Sequence, residues 1–193
     1  MSSEPTNILE DLDTKVWKTK GSRFNACRRL QSRKTWGSYL VSAYSIYILT
    51  ISIYLLTQPG AGNFFNMLSI VGSLLILVFS LHEGSQNAEQ KAERHHLCAK
   101  ELAALYDKIV IRVKQSNNSD ADHLVDEYAS IIARSPENHE TIDYELFRAE
   151  HDMFRIPWWK VQFIKLEHGI FKITCLVLII IPPAFLIFSQ IKH

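Results

Sequence analysis

The chain has 193 residues, 21 Lys and Arg against 20 Asp and Glu, a net charge of +1 and 47% hydrophobic residues. The near-zero net charge excludes a basic nucleic-acid binder, and the hydrophobic content excludes disorder. A simple water-soluble globule is excluded by where the charges fall. Thr35 to His82 holds no Asp, Glu, Lys or Arg in 48 positions, and Ile173 to Ile191 holds none in 19. At 21% charge, random placement would leave a window as long as the first one empty about once in 10⁵ trials.

Residues 1–38 read as basic N-terminal cytoplasmic helices. Asn7 to Lys20 and Ser22 onward look like two helical pieces, interrupted near Gly21-Ser22. Lys15, Lys18, Lys20, Arg23, Arg28, Arg29, Arg33 and Lys34 come before Ser38 with no acid among them. A basic run directly before a hydrophobic stretch predicts contact with lipid headgroups and a cytoplasmic N-terminus.

Residues 39–81 predict a transmembrane hairpin with spans at 39–57 and 64–81. At 1.5 Å rise per residue each span is about 27–29 Å long, which matches the hydrocarbon core. Between them Pro59, Gly60 and Gly62 break the helix within a short, uncharged turn. Neither segment alternates in polarity as a barrel strand would. In the first span Ser38, Ser42, Ser45 and Ser52 fall within about 80° of one helical face, and in the second Asn66, Ser69, Ser73 and Ser80 share a face. Small polar residues of this kind serve helix–helix packing, or they line a water-filled pore. Two or three spans enclose no conduit, so a pore demands several copies of the chain, a homo-oligomer within the lipid bilayer.

Residues 82–169 predict a cytoplasmic helical region. A helix over Glu83 to Gln115 is expected to run directly out of the second span, with only Gly84-Ser85 weakening the junction. Its positions Ala88, Ala92, His95, Ala99, Leu102, Tyr106, Ile109 and Val113 form a seven-residue seam. That seam packs on neighbouring helices of the same chain or pairs chains. Ser119 or Asp120 caps a helix carrying Leu124, Tyr128 and Ile131, which Ser135-Pro136 stops. Thr141 to Phe154 reads as one further helix, and Pro157 suits the first turn of the last.

Residues 170–188 form a C-terminal hydrophobic helix long enough to cross as a third span. Trp158 and Trp159 lie just ahead, as aromatic belts do. Pro182-Pro183 removes two backbone donors and predicts a kink. A crossing here puts the C-terminus outside; a re-entrant insertion is the alternative. The fold class is therefore an all-α membrane protein, with a transmembrane helical hairpin, a cytoplasmic helical bundle and a C-terminal hydrophobic helix.

Catalytic chemistry is not visible. There is no phosphate-binding Gly-rich loop and no HExxH, and His95 and His96 diverge by about 100° on a helix. Cys27, Cys98 and Cys175 are dispersed, which suits a reduced compartment rather than a metal site. An intramembrane enzyme would carry a charged constellation within its spans, and this sequence has none. The expectation is no catalytic residue, no cofactor, no metal and no direct nucleic-acid contact.

A basic N-terminal helix, two closely spaced spans and a charged helical extension together resemble the SLATT domain, the two-transmembrane effector found beside SMODS nucleotidyltransferases and SLOG sensors. Arg134 to Asp152, RSPENHETIDYELFRAEHD, is similar to the branch that accompanies reverse transcriptases in bacterial defence loci. The likeness covers roughly residues 7 to 165, and the hydrophobic tail departs from a two-span plan. The resemblance implies an antiviral effector of the inner membrane with no catalytic residues. It would stay inactive until an associated enzyme, a reverse transcriptase or a nucleotide-signalling enzyme, senses infection. It would then oligomerise and permeabilise the membrane. Glu137, Asn138, His139, Asp143 and Tyr144 are the candidate partner-binding residues. The alternative is a non-conducting membrane scaffold that anchors a cytoplasmic enzyme.

Overall fold

A computed structural model describes residues 8–57, 62–115 and 119–191. The described residues are helical, without strands. The elements in order are α1 (Ile8–Thr57), α2 (Gly62–Ser85), α3 (Ala88–Lys114), α4 (Ala121–Arg134), α5 (Thr141–Ala149), a short 3₁₀ turn (Asp152–Phe154) and α6 (Trp158–Ile191). The chain divides into two compact units. One is built from the described residues of Met1–Leu30 and Glu89–His168, the other from those of Gln31–Ala88 and Gly169–His193.

The first unit is a helical bundle with one apolar core. Leu9, Leu12 and Val16 of α1 pack with Cys98, Leu102, Leu105 and Ile109 of α3 and with Ala121, Leu124 and Ile131 of α4. The seven-residue seam faces inward: Ala92, His95, Ala99, Leu102 and Ile109 are buried, and Tyr106 and Val113 are half-buried. This intra-chain burial removes the seam from any surface that pairs chains.

Three local expectations are corrected here. Gly21 does not interrupt the N-terminal helix, because α1 runs unbroken through it. It marks a close approach instead, since a Cβ there would overlap the Phe147 ring. Second, the helix leaving the hairpin does not run on into the cytoplasmic region: α2 ends at Ser85, and Asn87 adopts a left-handed φ of 50° before α3 begins. Asn tolerates that conformation better than most residues. Third, α5 stops at Ala149 rather than reaching Phe154. The His151 ring Nδ1 lies 2.7 Å from the Phe147 carbonyl, and its own amide turns to the Arg148 carbonyl at 3.3 Å. A side chain competing for the helical acceptor unwinds the last turn.

The second unit contains the charge-free hairpin. Both α1 and α2 carry an 18-residue stretch long and apolar enough to cross a bilayer, and none of either stretch is buried. Leu56 is 82% exposed, Phe64 70% and Ile70 69%. Water is a poor solvent for so continuous an apolar surface, whereas hydrocarbon is a good one. At one end of the hairpin Arg33 of α1 donates to Glu83 of α2 at 3.0 Å. A Cβ on Gly37 would lie 3.3 Å from that carboxylate, so Gly37 keeps the helices close there. Further along, the Ser52 and Ser69 hydroxyls meet at 3.2 Å. The first turn of this unit's part of α6 joins the same level as Arg33. Phe171 lies under the Arg33 guanidinium (5.3 Å) and Lys172 over the Trp36 ring (5.4 Å).

Candidate functional site

The first unit holds a buried polar network, and it gathers residues that lie more than 100 positions apart in the chain. Asp143, on α5, has no exposure at all. Its carboxylate accepts two parallel hydrogen bonds from Arg29, Nε to Oδ1 at 2.9 Å and the guanidinium NH2 to Oδ2 at 3.0 Å. This bidentate geometry is the strong form of the pair. Oδ2 also accepts from the Glu140 amide at 3.0 Å, which closes the first turn of α5. The Glu140 carboxylate adds a second ion pair to Arg29 at 2.9 Å. Burial works against the Arg29 charge, but Asp143 and Glu140 outweigh it and hold its pKa above the ordinary value. Asn25 donates to the Asp143 carbonyl at 3.1 Å and accepts from Arg28.

Arg23 forms the second half of the network. It is 3% exposed. One of its NH groups donates to the Glu137 carbonyl and to Ser135 Oγ (3.3 Å), and lies 3.2 Å from His95 Nδ1. Guanidinium has only donors, so His95 accepts at Nδ1 and carries its proton on Nε2. Burial first, then the Arg23 charge, depress the His95 pKa to about 4. Burial and Arg23 also lower His139, and burial lowers His168 against the pull of Asp143. Both imidazoles are held toward their neutral forms. Arg23 Nε, His139 Nδ1 and His168 Nε2 are buried without a hydrogen-bond partner among the described residues. Together these contacts strap the Ser135–Glu140 connection, between α4 and α5, onto α1.

These placements revise two expectations. Arg23 and Arg29 lie inside the protein and are not available to lipid headgroups. The partner-binding candidates separate by exposure. Asn138 is exposed; Glu137, His139 and Tyr144 are half-buried; Asp143 is enclosed and offers a partner no surface in this conformation. The Glu137 carboxylate is held by Arg94 at 3.0 Å, and the Arg148 guanidinium sits 5.9 Å from the Tyr144 ring centroid. Arg23, Asn25, Arg29, His95 and His168 carry the network, and sequence reading did not single them out as a site. The one local signal was the density of arginines in a helix that also carries buried apolar positions. Among the described residues no three His, Cys, Asp or Glu side chains come together as metal ligands.

In the second unit the serine stripes divide. Ser52 and Ser69 bond each other across the hairpin. Ser45 donates to the Val41 carbonyl of its own helix and Ser73 to that of Ile70, at 2.8 Å each. Ser38, Ser42, Asn66 and Ser80 are exposed, as are Ser45 and Ser73 despite those bonds. Tyr44 and Tyr47 of α1 form a further polar contact that the sequence did not suggest. Their hydroxyls donate to the Leu178 and Ile179 carbonyls of α6 at 3.1 and 2.8 Å. Beside them lies a cavity of about 440 Å³, walled by Tyr44, Tyr47, Ile48, Gly72, Leu178 and Pro182 among others.

A helical bundle with an apolar core and a buried polar network, in one chain with an apolar helical hairpin, defines an all-α membrane protein. Residues 6–189 match the SMODS and SLOG-associating 2TM effector domain family 5. The chain belongs to this SLATT family. The match extends through the C-terminal hydrophobic helix, so that segment is part of the family's domain and not an appendage to it. No curated protein and no solved structure matches the chain.

Proposed function

We propose that this protein is the membrane-permeabilising effector of a bacterial antiviral defence system, held closed until an associated enzyme triggers its assembly in the inner membrane. The observation that carries this reading is the unburied, charge-free surface of α1 and α2 in a chain of an effector family. That surface calls for lipid and for neighbouring copies of the same helices. In this reading the N-terminus and the bundle lie on the cytoplasmic side, which the acid-free basic run from Lys15 to Lys34 ahead of the first span supports. The segment 170–188 crosses as a third span. The Arg33–Glu83 pair, Trp36, Phe171 and Lys172 mark one interfacial level for all three helices.

Of the two stripes, Ser38, Ser42, Ser45, Asn66, Ser73 and Ser80 are exposed and are offered to contacts between copies or to water. The trigger acts at the Ser135–Tyr144 strap. A partner, a reverse transcriptase or a nucleotide-signalling enzyme, docks on Asn138 and the exposed parts of Glu137, His139 and Tyr144. A half-satisfied buried network beneath a surface loop suits this role, because rearranging it changes the partners of several charges at once.

The test is dye release from vesicles carrying the full-length protein, with and without a candidate partner enzyme of either class, together with its mass in detergent. Release on triggering, and a mass of several chains, are expected. A strict monomer, or no release in any state, overturns the reading. A non-conducting scaffold is the second reading, favoured by the Ser52–Ser69 bond, which assigns part of the stripes to packing. It expects no release and tolerance of Ser42→Leu and Ser73→Leu, whereas a conduit expects both substitutions to impair release.

A further inference from the structure

Pro182 and Pro183 lie within α6. In an α-helix the amide of residue i donates to the carbonyl of residue i−4. Proline has no amide hydrogen, so these two residues release the carbonyls of residues 178 and 179. Those are the two carbonyls that Tyr44 and Tyr47 take, at 3.1 and 2.8 Å. The two hydroxyls, one helical turn apart on α1, replace the two missing donors one for one.

The setting makes the replacement consequential. Tyr44 and Tyr47 lie 8 and 11 residues beyond Trp36, and Leu178 and Ile179 lie 6 and 7 beyond Lys172. At 1.5 Å per residue that is about 9–17 Å from the Trp36–Lys172 level, toward the middle of a core about 30 Å thick. A carbonyl at that depth must find a donor, and lipid supplies none. The adjoining cavity of about 440 Å³ gives the rings room to move, and among the described residues that line it no side chain besides the two tyrosines is polar. A hydroxyl that lets go of its carbonyl meets no substitute among the described lining residues, and water entering the cavity can serve the carbonyl it leaves.

We propose that Tyr44 and Tyr47 are positioning residues of a releasable intramembrane clasp. Closed, they hold the Leu178 and Ile179 carbonyls and keep α6 against α1; open, water takes those carbonyls and they face the conduit. The dry state and the wet state each satisfy the carbonyls, and intermediate states do not, so clasp release and wetting occur together. This regulation rests on the proposed third span and permeabilising function.

The test uses the full-length protein in vesicles of phosphatidylethanolamine and phosphatidylglycerol. Cys175, three residues before Leu178 and 2% exposed, reports the state of α6. Its labelling by a membrane-permeant maleimide is resolved from that of Cys27 and Cys98 by peptide mass. Tyr44→Phe with Tyr47→Phe keeps both rings and removes both donors; Cys175 labelling is expected to rise about tenfold or more. Adding Pro182→Ala and Pro183→Ala restores an amide for each carbonyl and is expected to bring labelling back to within about twofold of wild type. Unchanged labelling in the double Phe variant, or no reversal by the alanines, overturns the clasp. If the double Phe variant fails to accumulate in the membrane, recovery of accumulation by the alanines is the same test, and lack of recovery overturns it. Dye release is followed in parallel. Labelling in the expected order with no release from any variant leaves the clasp standing and removes the permeabilising function. Triggered release without that order removes the clasp alone.

Discussion

Replacing Asp143 by Ala should unfold the cytoplasmic bundle rather than weaken a surface contact. The carboxylate is fully enclosed, takes both hydrogen bonds of the Arg29 fork and closes the first turn of α5. Its loss leaves the Arg29 guanidinium, 19% exposed, with only the solvent-facing Glu140. Breaking a buried pair from one side costs about 3–5 kcal/mol, because a charge remains without compensation. For a helical unit of this size each kcal/mol moves the midpoint by about 5 °C, so Tm should fall by about 15–25 °C. The assay is thermal unfolding of full-length protein in mild detergent, followed by far-ultraviolet circular dichroism. A second variant separates the pair from general damage. Arg29→Met with Asp143→Leu removes both charges and should recover most of the loss, since an apolar pair of similar volume is close to neutral. A fall of under about 1 kcal/mol for Asp143→Ala, or a double variant no better than the sum of its parts, refutes the reasoning. Partner-docking experiments belong on Asn138 and Tyr144, because loss of binding in an Asp143 variant would report unfolding.

The bundle should lose stability as pH falls from about 6.5 toward 4. His95 has its pKa depressed from 6.5 to about 4 by burial and Arg23. In that window the unfolded chain binds the proton and the folded one does not, so stability rises with pH. The lowered His139 and His168 act in the same direction. Tm measured between pH 7.5 and 5 should drop less in His95→Gln, which keeps an acceptor for Arg23; an equal slope rejects this origin. Gly21→Ala should cost about 1–3 kcal/mol by overpacking. The Phe147 ring it meets is hemmed in by Trp17 and His151, with centroids 4.7 and 4.4 Å away. Combining it with Phe147→Leu should restore part of the Tm, and a Gly21→Ala protein as stable as wild type contradicts the close approach. Ser52→Ala and Ser69→Ala should each cost only about 0.6 kcal/mol, the usual worth of an interhelical hydrogen bond in a bilayer. Triggered dye release should survive both, and its abolition by either would mean that this pair lines the conduit.

The membrane character of the chain was legible in the linear order of its residues. Solvation is local: 48 consecutive positions without a charge demand hydrocarbon whatever the rest of the chain does. Helical periodicity is local too, and it correctly turned Ala92, Ala99, Leu102 and Ile109 inward. The pairing of charges and hydroxyls is not local. Arg29 meets Asp143 across 114 positions, and Tyr44 meets Leu178 across 134. Read along the chain, those arginines looked like lipid anchors and Asp143 like a docking residue; Gly21 looked like a helix break, and the two prolines like a kink. Whether a guanidinium faces lipid or an enclosed carboxylate, and which donor answers a carbonyl that proline has released, depends on which helices stand side by side. Only the packed tertiary structure decides that.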